Sequence, residues 1–516
     1  MAKLIIDPVT RIEGHLKIEA LIDKGKIKEA KSSGTMFRGF EVFLKGRDPR
    51  DAQQITQRVC GVCPISHGTA STHCLDSAFN IAGKIPKNGR ILRNLILGTE
   101  YIHSHILHFY HLAALDFVDV AAAAEYDGMD VALQTVRDFI SAGALQPFTP
   151  RYEGDYRLSK EQNLSAISSY VEALRIRRIA HEMTAIFAGK APHACLVPGG
   201  VATQITEDKI AAFLWRLNEC RKFIENYYLP DVVMIAEAYP DYQLVGRGCG
   251  NYLSYGVFEL TDGDTDLANR PKLLKSGTTS RKLEYKPLDL SRIAEDLHSS
   301  WLDGEMHHPS NGMTVPNPNK EKAYSWLKSP RYENQPYEVG PLARFMVAYA
   351  GGDETVRSTL DAYAEELGIT ITDLPSVIGR HLTRAIETQL VANAMSEWVL
   401  QLEVGAPTAT EFTIPESSEG VGITEAARGA LGHWIRIKDK KIENYQLVVP
   451  TTWNAGPTDE KGKPGPIEHA LIGTRIKDEE NPFEVVRIVR SFDPCLACAV
   501  HIVDARGNTK QTFKVL

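Results

Sequence analysis

Two stretches near opposite ends of the chain, "RVCGVCPISH" (58–67) and "DPCLACAVH" (493–501), share one pattern. Each holds two cysteines three positions apart, followed by a histidine. One such pair can grip a metal ion from a single turn of chain, and two pairs supply four sulfur ligands. Because 435 positions separate Cys60 from Cys495, a site that uses both pairs would join the two ends of the fold and lie deep inside it.

A structural zinc site or an iron–sulfur cluster is the main alternative to a catalytic metal centre. Four thiolates favour those metals on geometry alone. Structural zinc sites are local, however, with cysteine pairs roughly 15–20 residues apart. We therefore expect a catalytic or redox metal centre, and we leave structural zinc, an iron–sulfur cluster and coincidence open.

Charged and imidazole side chains flank both pairs. His67 and His501 could each hydrogen-bond a thiolate or bind a second metal, although either one alone is typical of structural packing. Asp493 and Arg58 each precede a pair by two residues. They are either ordinary surface charges or outer contacts that tune a buried centre rich in thiolate.

Composition excludes several classes of protein. The 516 residues are 43% hydrophobic and carry a net charge of −7, and the absence of a basic run argues against a nucleic-acid face. Neither a signal peptide nor a run of 18 apolar residues is found, so we expect a cytoplasmic protein or one that a partner carries elsewhere. Eight cysteines are too few for a disulfide scaffold; those outside the pairs are interpreted as small buried residues (Cys74, Cys195, Cys220, Cys249).

Hydrophobic periodicity predicts a mainly α fold with α+β additions. Residues 16–27 alternate like a β-hairpin, with Lys24, Gly25 and Lys26 as its turn. Helices are predicted over 89–116, 163–188, 207–228 and 375–403, with Thr206 as the N-cap of the third helix and Asp373 before the fourth. Loops and short strands are expected over 240–345, and short strands with turns over the last 90 residues. The expected architecture is a large helical core, an N-terminal hairpin or sheet and a small mixed C-terminal region.

With these motifs the chain resembles the large subunit of nickel–iron hydrogenases. That family has RxCGxCxxxH near the N-terminus and DPCxxCxxH near the C-terminus, and both occur here in full. Further matching stretches are "DPVTRIEGHL" (7–16), "FRGFEVFLKGRDPRDA" (37–52), "SPRYENQPYEVGPLAR" (329–344) and "LVVPTTWN" (447–454). The resemblance runs nearly end to end, so residues 1–501 are expected to form one catalytic domain.

The resemblance implies a binuclear centre. Nickel takes all four thiolates, with Cys60 and Cys495 as terminal ligands. Cys63 and Cys498 bridge to an iron that carries carbon monoxide and two cyanides. Because position 495 is cysteine, the chain is not the selenocysteine variant.

Other matched positions imply helpers around that centre. Glu13 matches the proton-relay glutamate, and Arg428 and Thr451 match the hydrogen-bond donors to the two cyanides. Glu41, His501 and the carbonyl of Leu447 match the ligands of a magnesium ion. Without the resemblance, Glu13 would read as a surface residue and Arg428 as a helix cap, and Glu41 and His501 would more readily be structural.

Two positions depart from the family pattern. Ser104 replaces an aspartate that many relatives have, and Ala427 replaces a proline. The first change removes a charge partner of Arg428, so Asp493 is expected to carry that contact. The histidines at 103, 105, 108 and 111 could suggest a metal site, but we favour polar packing and a contact with another subunit.

The resemblance also implies partners and processing. Electrons would leave through an iron–sulfur small subunit, since no cysteines remain in cluster spacing. A membrane cytochrome would be a further partner, reached through that subunit. Residues 502–516 would be removed after His501 by a maturation protease once insertion factors have delivered nickel. The enzyme would be periplasmic or membrane-associated through the small subunit, or cytoplasmic.

The expected function is reversible cleavage of H₂ into protons and electrons, in the uptake direction. A hydrogen-sensing subunit is the main alternative, although such sensors generally lack the cleavable tail. A quinone-reducing respiratory subunit fits poorly, because that branch of relatives has lost the paired cysteines. A structural zinc protein is the third alternative.

Overall fold

The structure, a computed structural model, describes residues 2–143 and 155–499, except for the side chains of residues 498 and 499. Helices dominate this part of the chain. In chain order they are α1 (Phe40–Phe43), α2 (Asp51–Thr56), α3 (Pro64–Ala78), α4 (Lys87–Ile106), α5 (Val131–Ser141), α6 (Lys160–Ala188), α7 (Glu207–Phe223), α8 (Leu229–Ala238), α9 (Pro341–Ala350), α10 (Glu354–Glu366), α11 (Val377–Val399), α12 (Pro450–Ala455), α13 (Pro466–Leu471), α14 (Phe483–Ser491) and α15 (Leu496–Ala499).

The strands form small antiparallel sheets. They are β1 (Ala2–Ile6), β2 (Leu16–Asp23), β3 (Lys26–Gly34), β4 (Leu196–Val197), β5 (Gly200–Val201), β6 (Asn251–Ser254), β7 (Val257–Glu259), β8 (Lys272–Leu274), β9 (Gly277–Ser280), β10 (Ile293–Asp296), β11 (Leu302–Asp303), β12 (Val315–Pro316), β13 (Ser329–Tyr332), β14 (Ser417–Ala426), β15 (Gly429–Lys438) and β16 (Lys441–Val448). Two sheets have three strands, β1-β2-β3 and β14-β15-β16, and the others are pairs. The predicted mainly α class with added sheets agrees with this arrangement.

Four long helices form part of the main hydrophobic core. Helices α4, α6, α7 and α11 pack on one another. The sequence sets the ends of α6, where Ser159 and Gln162 form a reciprocal capping box and Gly189 takes a left-handed conformation at φ 73°. Its predicted range, 163–188, is confirmed apart from one extra turn at the start.

Three other helix predictions were wrong at their ends. The helix predicted over 89–116 is α-helical only to Ile106 and continues as a π-helical segment, Leu107–Ala113. The helix predicted over 207–228 passes through a second π-helical segment, Ile224–Tyr228, and runs on as α8 because proline is tolerated in a first turn. Helix α11 begins at Val377 and ends at Val399 rather than spanning 375–403.

Of the two predicted helix starts, Thr206 is confirmed in position and Asp373 is wrong. Thr206 occupies the N-cap position of α7, but its side chain makes no capping hydrogen bond. Ser376, not Asp373, caps α11 by accepting from the N–H of Gly379. Asp373 instead closes a short 3₁₀ turn with Thr370. Cap chemistry alone therefore did not distinguish neighbouring candidates.

The N-terminal hairpin is confirmed, with Asp23 paired to Lys26. Lys24 and Gly25 both have positive φ, as a two-residue turn between twisted strands requires. Strand β1 adds a third strand, so the N-terminal element is a small sheet, which was one of the two expected forms. The C-terminal region also differs from prediction, since helices α12 to α15 follow the β14-β15-β16 sheet.

Two close contacts in the fold bring the N-terminal and C-terminal motif residues together. Helix α3 lies directly on β14, where a Cβ atom at Gly422 would collide with the carbonyl oxygen of Ala70. The chain ends meet where Glu13 and Cys495 form a parallel β-bridge and the N–H of Leu496 donates to the carbonyl of Glu13 over 2.7 Å. Glycine and main-chain pairing thus fix the start of α3 and both chain ends in one place.

No helix in the described ranges is both long and apolar enough to cross a membrane. Of the unpaired cysteines, Cys74 and Cys220 are buried as predicted, whereas Cys195 and Cys249 are partly exposed.

Candidate metal centre

Cys60 and Cys63 lie where the chain enters α3. Cys60 is 1% and Cys63 2% exposed, and the N–H groups of Val62 and Cys63 both donate to the Cys60 sulfur over 3.2 Å. Cys63 is the N-cap of α3 and Pro64 is its first residue. This turn therefore holds two sulfurs in a buried position, with backbone N–H groups directed at one of them.

Cys495 brings a third sulfur to the same place from the other end of the chain. Its Sγ lies 3.0 Å from the Sγ of Cys60, and the sulfurs of Cys60, Cys63 and Cys495 all lie within 4.8 Å of one another. A separation of 3.0 Å is too long for a disulfide bond, which is about 2.05 Å. Three buried thiols at this spacing are a soft donor set that fits nickel or another thiolate-binding metal.

The fourth predicted ligand is described only in part. The backbone of Cys498 belongs to α15, but its sulfur and His501 lie outside the described residues. The convergence of the two ends is therefore observed for Cys60, Cys63 and Cys495, and the remaining ligand roles stay predictions.

Glu13 lies against the sulfur cluster. The Cys495 thiol donates to its Oε2 over 3.1 Å, and the N–H of Ala497 donates to the same oxygen over 3.0 Å. Burial, reinforced by the nearby Cys60, raises the pKa of Glu13 above its ordinary value. The carboxylate is thus placed to exchange a proton with a cysteine sulfur.

Arg428 brings a buried positive charge to the cluster. Its Nη2 lies 3.1 Å from Oδ1 of Asp493, and its Nη1 donates to the Ser104 hydroxyl over 3.3 Å. Burial opposes the charge, but Asp493 and the cysteines outweigh it, so the pKa of Arg428 lies well above its ordinary value. Asp493 is therefore an ion-pair partner of Arg428, as expected, and Ser104 contributes a neutral contact.

Arg428 also has spare hydrogen-bonding capacity. Its Nε is buried and finds no acceptor among the described residues. A buried guanidinium N–H without an acceptor is costly. The arrangement fits a bound group that offers an acceptor at this point.

Thr451, on α12, makes a contact that the sequence did not suggest. Its hydroxyl oxygen accepts from the N–H of Cys495 over 2.9 Å. The side chain therefore holds the main chain of a predicted metal ligand, and its own hydroxyl hydrogen remains available for donation.

The Nδ1 edge of the His67 ring faces the C-terminal sheet. Its Nδ1 lies 3.3 Å from Nε2 of His433, whose Nδ1 lies 2.9 Å from the Tyr445 hydroxyl. Burial lowers the pKa of His67 to about 4, so the ring is neutral near pH 7. Its Nε2 has no partner among the described residues.

Glu41 lies in a separate buried polar cluster. Its Oε1 accepts from the N–H of Leu447 over 2.8 Å and from Nζ of Lys328 over 3.0 Å, and its Oε2 accepts from the Thr314 hydroxyl. Lys328 also reaches Oε2 of Glu295 over 3.1 Å. In the described part of the chain, a set of three or more ligand atoms near enough to share an ion occurs only at the cysteines.

The two remaining flanking predictions resolve differently. Arg58 is exposed and donates to the carbonyl of Gln54. It is therefore an ordinary surface charge, the first of the two interpretations given for it above. The histidine-rich segment shows polar packing: His105 lies 2.8 Å from Glu387, His108 bonds the carbonyl of Arg490, and His103 stacks on His181. The predicted contact with another subunit stays a prediction.

Sequence reasoning missed two buried groups near these clusters. Lys328 joins Glu41 to Glu295, and Glu100 accepts hydrogen bonds from the start of α3. Neither belongs to the motifs that identified the cysteines, and no spacing in the sequence relates Glu100 to Cys63. Only the packing of α4 against α3 shows the connection.

Several known proteins are similar to this chain in sequence and in fold. A family model described as nickel-dependent hydrogenase matches residues 38–501, and one described as HoxL-like matches residues 3–33. The periplasmic [NiFeSe] hydrogenase large subunit of Desulfomicrobium baculatum is 43% identical over 99% of this chain and 97% of its own length. The uptake hydrogenase large subunit of Cupriavidus necator is 36% identical over 99% of this chain and 97% of its own length.

A solved structure supports the same relationship. The reduced, active Ni-Fe-Se hydrogenase from Desulfomicrobium baculatum has a TM-score of 0.85 and 44% identity, covering 97% of this chain and 100% of that chain. The chain therefore belongs to the nickel-dependent hydrogenases, as the large, catalytic subunit of a nickel–iron hydrogenase that cleaves H₂.

Proposed function

We propose that H₂ cleavage takes place at a nickel–iron centre held by Cys60, Cys63, Cys495 and Cys498. The observation that carries the proposal is the approach of three buried thiols, from both ends of the chain, to within 4.8 Å of one another. Cys60 and Cys495 would be terminal nickel ligands, and Cys63 and Cys498 would bridge to iron. When bound, the metals supply the open coordination position and the electron acceptor for splitting H₂.

Glu13 is proposed as the first proton carrier. Its Oε2 is 3.1 Å from the Cys495 sulfur, within reach for direct proton transfer. The N–H of Ala497 holds that same oxygen in place. The proton released from H₂ would pass from the Cys495 sulfur to Glu13 and then outward.

Arg428 and Thr451 are proposed to hold the diatomic ligands of the iron, carbon monoxide and two cyanides. Arg428 has a buried Nε donor without an acceptor among the described residues, and its charge is fixed by Asp493. Thr451 contacts the main chain of Cys495 over 2.9 Å. A fixed cation and a hydroxyl at these positions would stabilise negative charge on the bound ligands. His67, on α3, would contribute to the site as a neutral ring that can form hydrogen bonds.

A magnesium ion is proposed at Glu41, the carbonyl of Leu447 and His501. Glu41 is buried and already contacts the main chain of Leu447. Carboxylate and carbonyl oxygens suit Mg²⁺, whereas a histidine nitrogen is atypical. The single positive charge of Lys328 lies between the carboxyl groups of Glu41 and Glu295 in this cluster.

The partners follow from the chemistry of electron transfer. We propose an iron–sulfur small subunit as the electron carrier, with a membrane cytochrome as a further acceptor, and no nucleic acid partner. Nickel-insertion factors and a protease that removes residues 502–516 would complete maturation.

A periplasmic or membrane-associated location would be reached through the small subunit, and the D. baculatum relative is named as periplasmic. Turnover in the uptake direction agrees with the C. necator relative.

The test is the composition and spectrum of the processed heterodimer. We expect nickel and iron in about equal amount in the large subunit, infrared bands from cyanide and carbon monoxide, and H₂ oxidation with an artificial acceptor. Zinc alone would overturn the proposed centre. Bands with negligible turnover would favour a hydrogen sensor instead.

A matched pair of cysteine variants sharpens that test. Cys63→Ser replaces a soft ligand by a poor one, so nickel and the infrared bands should be lost. Cys74→Ser changes a cysteine of the same helix that bonds the carbonyl of Gly420, and it should retain both. Equal metal loss in the two variants, measured by elemental analysis, would contradict the ligand assignment.

A further inference from the structure

The start of α3 has an unusual capping problem. A helix leaves its first N–H groups without partners, and the N-cap side chain normally accepts from them. Here the N-cap is Cys63, whose side chain makes no capping hydrogen bond, and Pro64 has no N–H. The N–H groups of Ile65 and Ser66 therefore need an acceptor from another part of the chain.

Glu100, on α4, supplies that acceptor. Its Oε2 accepts from the N–H of Ile65 over 2.7 Å, and its Oε1 accepts from the N–H of Ser66 over 3.1 Å and from the Ser66 hydroxyl. The next N–H, of His67, reaches the carbonyl of Cys63 over 3.4 Å. One fully buried carboxylate thus completes the capping of this helix.

We infer that Glu100 is a positioning residue that caps α3 in place of Cys63 and thereby fixes the direction of the Cys63 sulfur. The Cys63 side chain does not cap its own helix, and the acceptor for the first N–H groups comes from the neighbouring helix instead. Both oxygens of Glu100 accept hydrogen bonds, and an amide nitrogen cannot accept. Glutamine at this position would therefore lose at least one of the contacts.

This inference rests on the proposed function, because it assigns Glu100 a role toward the metal that Cys63 would hold. The plain alternative is that Glu100 only stabilises the fold. Glu468 offers a matched control, since it is also fully buried. It accepts from the N–H of Gly465, the N-cap of a different helix, α13, over 3.3 Å, and from the N–H of Ser32 on β3 over 2.9 Å.

The experiment compares Glu100→Gln with Glu468→Gln in the processed heterodimer. Both variants should lower the thermal midpoint, because each leaves a buried N–H without its acceptor. Only Glu100→Gln should shift the cyanide and carbon monoxide bands and lower the nickel content per chain. The positions of the infrared bands depend on the geometry and electron density of the metal centre. A general loss of stability does not shift them.

A second measurement does not depend on metal. In the metal-free full-length chain, hydrogen exchange at Ile65 and Ser66 should be about tenfold faster in Glu100→Gln than in either the parent chain or Glu468→Gln, as expected for the loss of a helix cap. This comparison also decides the case if Glu100→Gln fails to load nickel. Ser66→Ala, which removes only the hydroxyl contact, should show a smaller change.

The outcomes separate the two proposals. If the parent heterodimer contains no nickel and shows no such bands, the proposed centre fails. If the parent shows them and Glu100→Gln keeps both the bands and the slow exchange of Ile65 and Ser66, the positioning role is overturned. Equal band shifts in Glu100→Gln and Glu468→Gln would overturn it as well.

Discussion

At the scale of single residues, the site combines an acid–base group and a fixed cation around buried sulfurs. Glu13 accepts a hydrogen bond from the Cys495 thiol, and Arg428 forms an ion pair with Asp493. We propose that these groups act on different parts of the reaction. Glu13 can move a proton, whereas Arg428 keeps its charge and holds what lies next to it.

Replacing Glu13 by glutamine should separate proton transfer from metal binding. The amide keeps the size of the side chain but cannot take up a proton, so a loss of about 10²–10⁴-fold in H₂ turnover is expected. Nickel content should stay unchanged, because Glu13 is not a proposed ligand. Hydrogen–deuterium exchange between D₂ and water measures the step directly, and normal exchange in the metal-loaded variant would rule out the relay role.

Replacing Arg428 by lysine should impair catalysis although the charge is kept. Lysine lacks the planar fork that reaches Asp493 and Ser104 together and still leaves Nε free. Loss of one fixed donor typically costs about 10²–10³-fold in rate. Turnover should fall by that order and the infrared bands should shift, whereas an unchanged spectrum would show that Arg428 does not contact the diatomic ligands.

The sequence predicted the residues that belong to motifs and missed those that contact them. Cys60, Cys63 and Cys495 converge as expected, because their residue types and spacing carry the chemistry. Glu100 and Lys328 lie far along the chain from their partners, and a buried carboxylate or ammonium has no pattern of its own in the sequence. Their positions depend on how helices and strands pack.

At the scale of elements, buried ion pairs connect the core helices. Glu387 of α11 accepts from Nε and Nη2 of Arg344 on α9, over 2.6 Å each, and lies 2.8 Å from Nε2 of His105 on α4. Burial opposes the charge, but Arg344 outweighs it and lowers the pKa of Glu387 to about 2. The carboxylate thus helps to hold three helices together in its ionised form.

The ion pair between Glu387 and Arg344 should make the free energy of unfolding depend on pH in the acid range. A carboxyl whose pKa is about 2 in the folded chain and 4.5 ordinarily contributes stability above pH 4.5 and loses it as the pH falls toward 2. Glu387→Gln leaves Arg344 without its main counter-charge, and we expect a loss of about 3–5 kcal/mol at neutral pH. The difference in thermal midpoint between the parent chain and the variant should shrink as the pH is lowered.

An exposed ion pair provides the control for that measurement. Asp48 pairs with Arg50 at the surface, where solvent screens the interaction. Asp48→Asn should hardly change the thermal midpoint at any pH. A midpoint difference for Glu387→Gln that stays constant from neutral to acid pH would show that the ionised form of Glu387 is not responsible.

Helix positions were predictable, but their irregularities were not. Hydrophobic periodicity in the sequence located α4, α6, α7 and α11. The π-helical segments Leu107–Ala113 and Ile224–Tyr228 leave no clear mark on that periodicity. The sequence alone therefore did not show where the α-helical hydrogen bonding changes.

At the scale of the whole molecule, the chain ends form one site. A main-chain bridge joins Glu13 to Cys495, and the Cys60 and Cys495 sulfurs lie 3.0 Å apart. The paired motifs predicted this meeting, because four sulfurs around one metal require it. The sequence did not predict how the ends are held, since β-bridge pairing and the contact of α3 with β14 arise from backbone geometry.

Diffraction at the nickel absorption edge, with crystals of the processed heterodimer, tests this arrangement most directly. We predict a single strong anomalous peak, about 2.3 Å from the sulfurs of Cys60, Cys63, Cys495 and Cys498. A heterodimer that oxidises H₂ but has its nickel peak away from these sulfurs, or bound to sulfurs from only one end of the chain, would contradict the account.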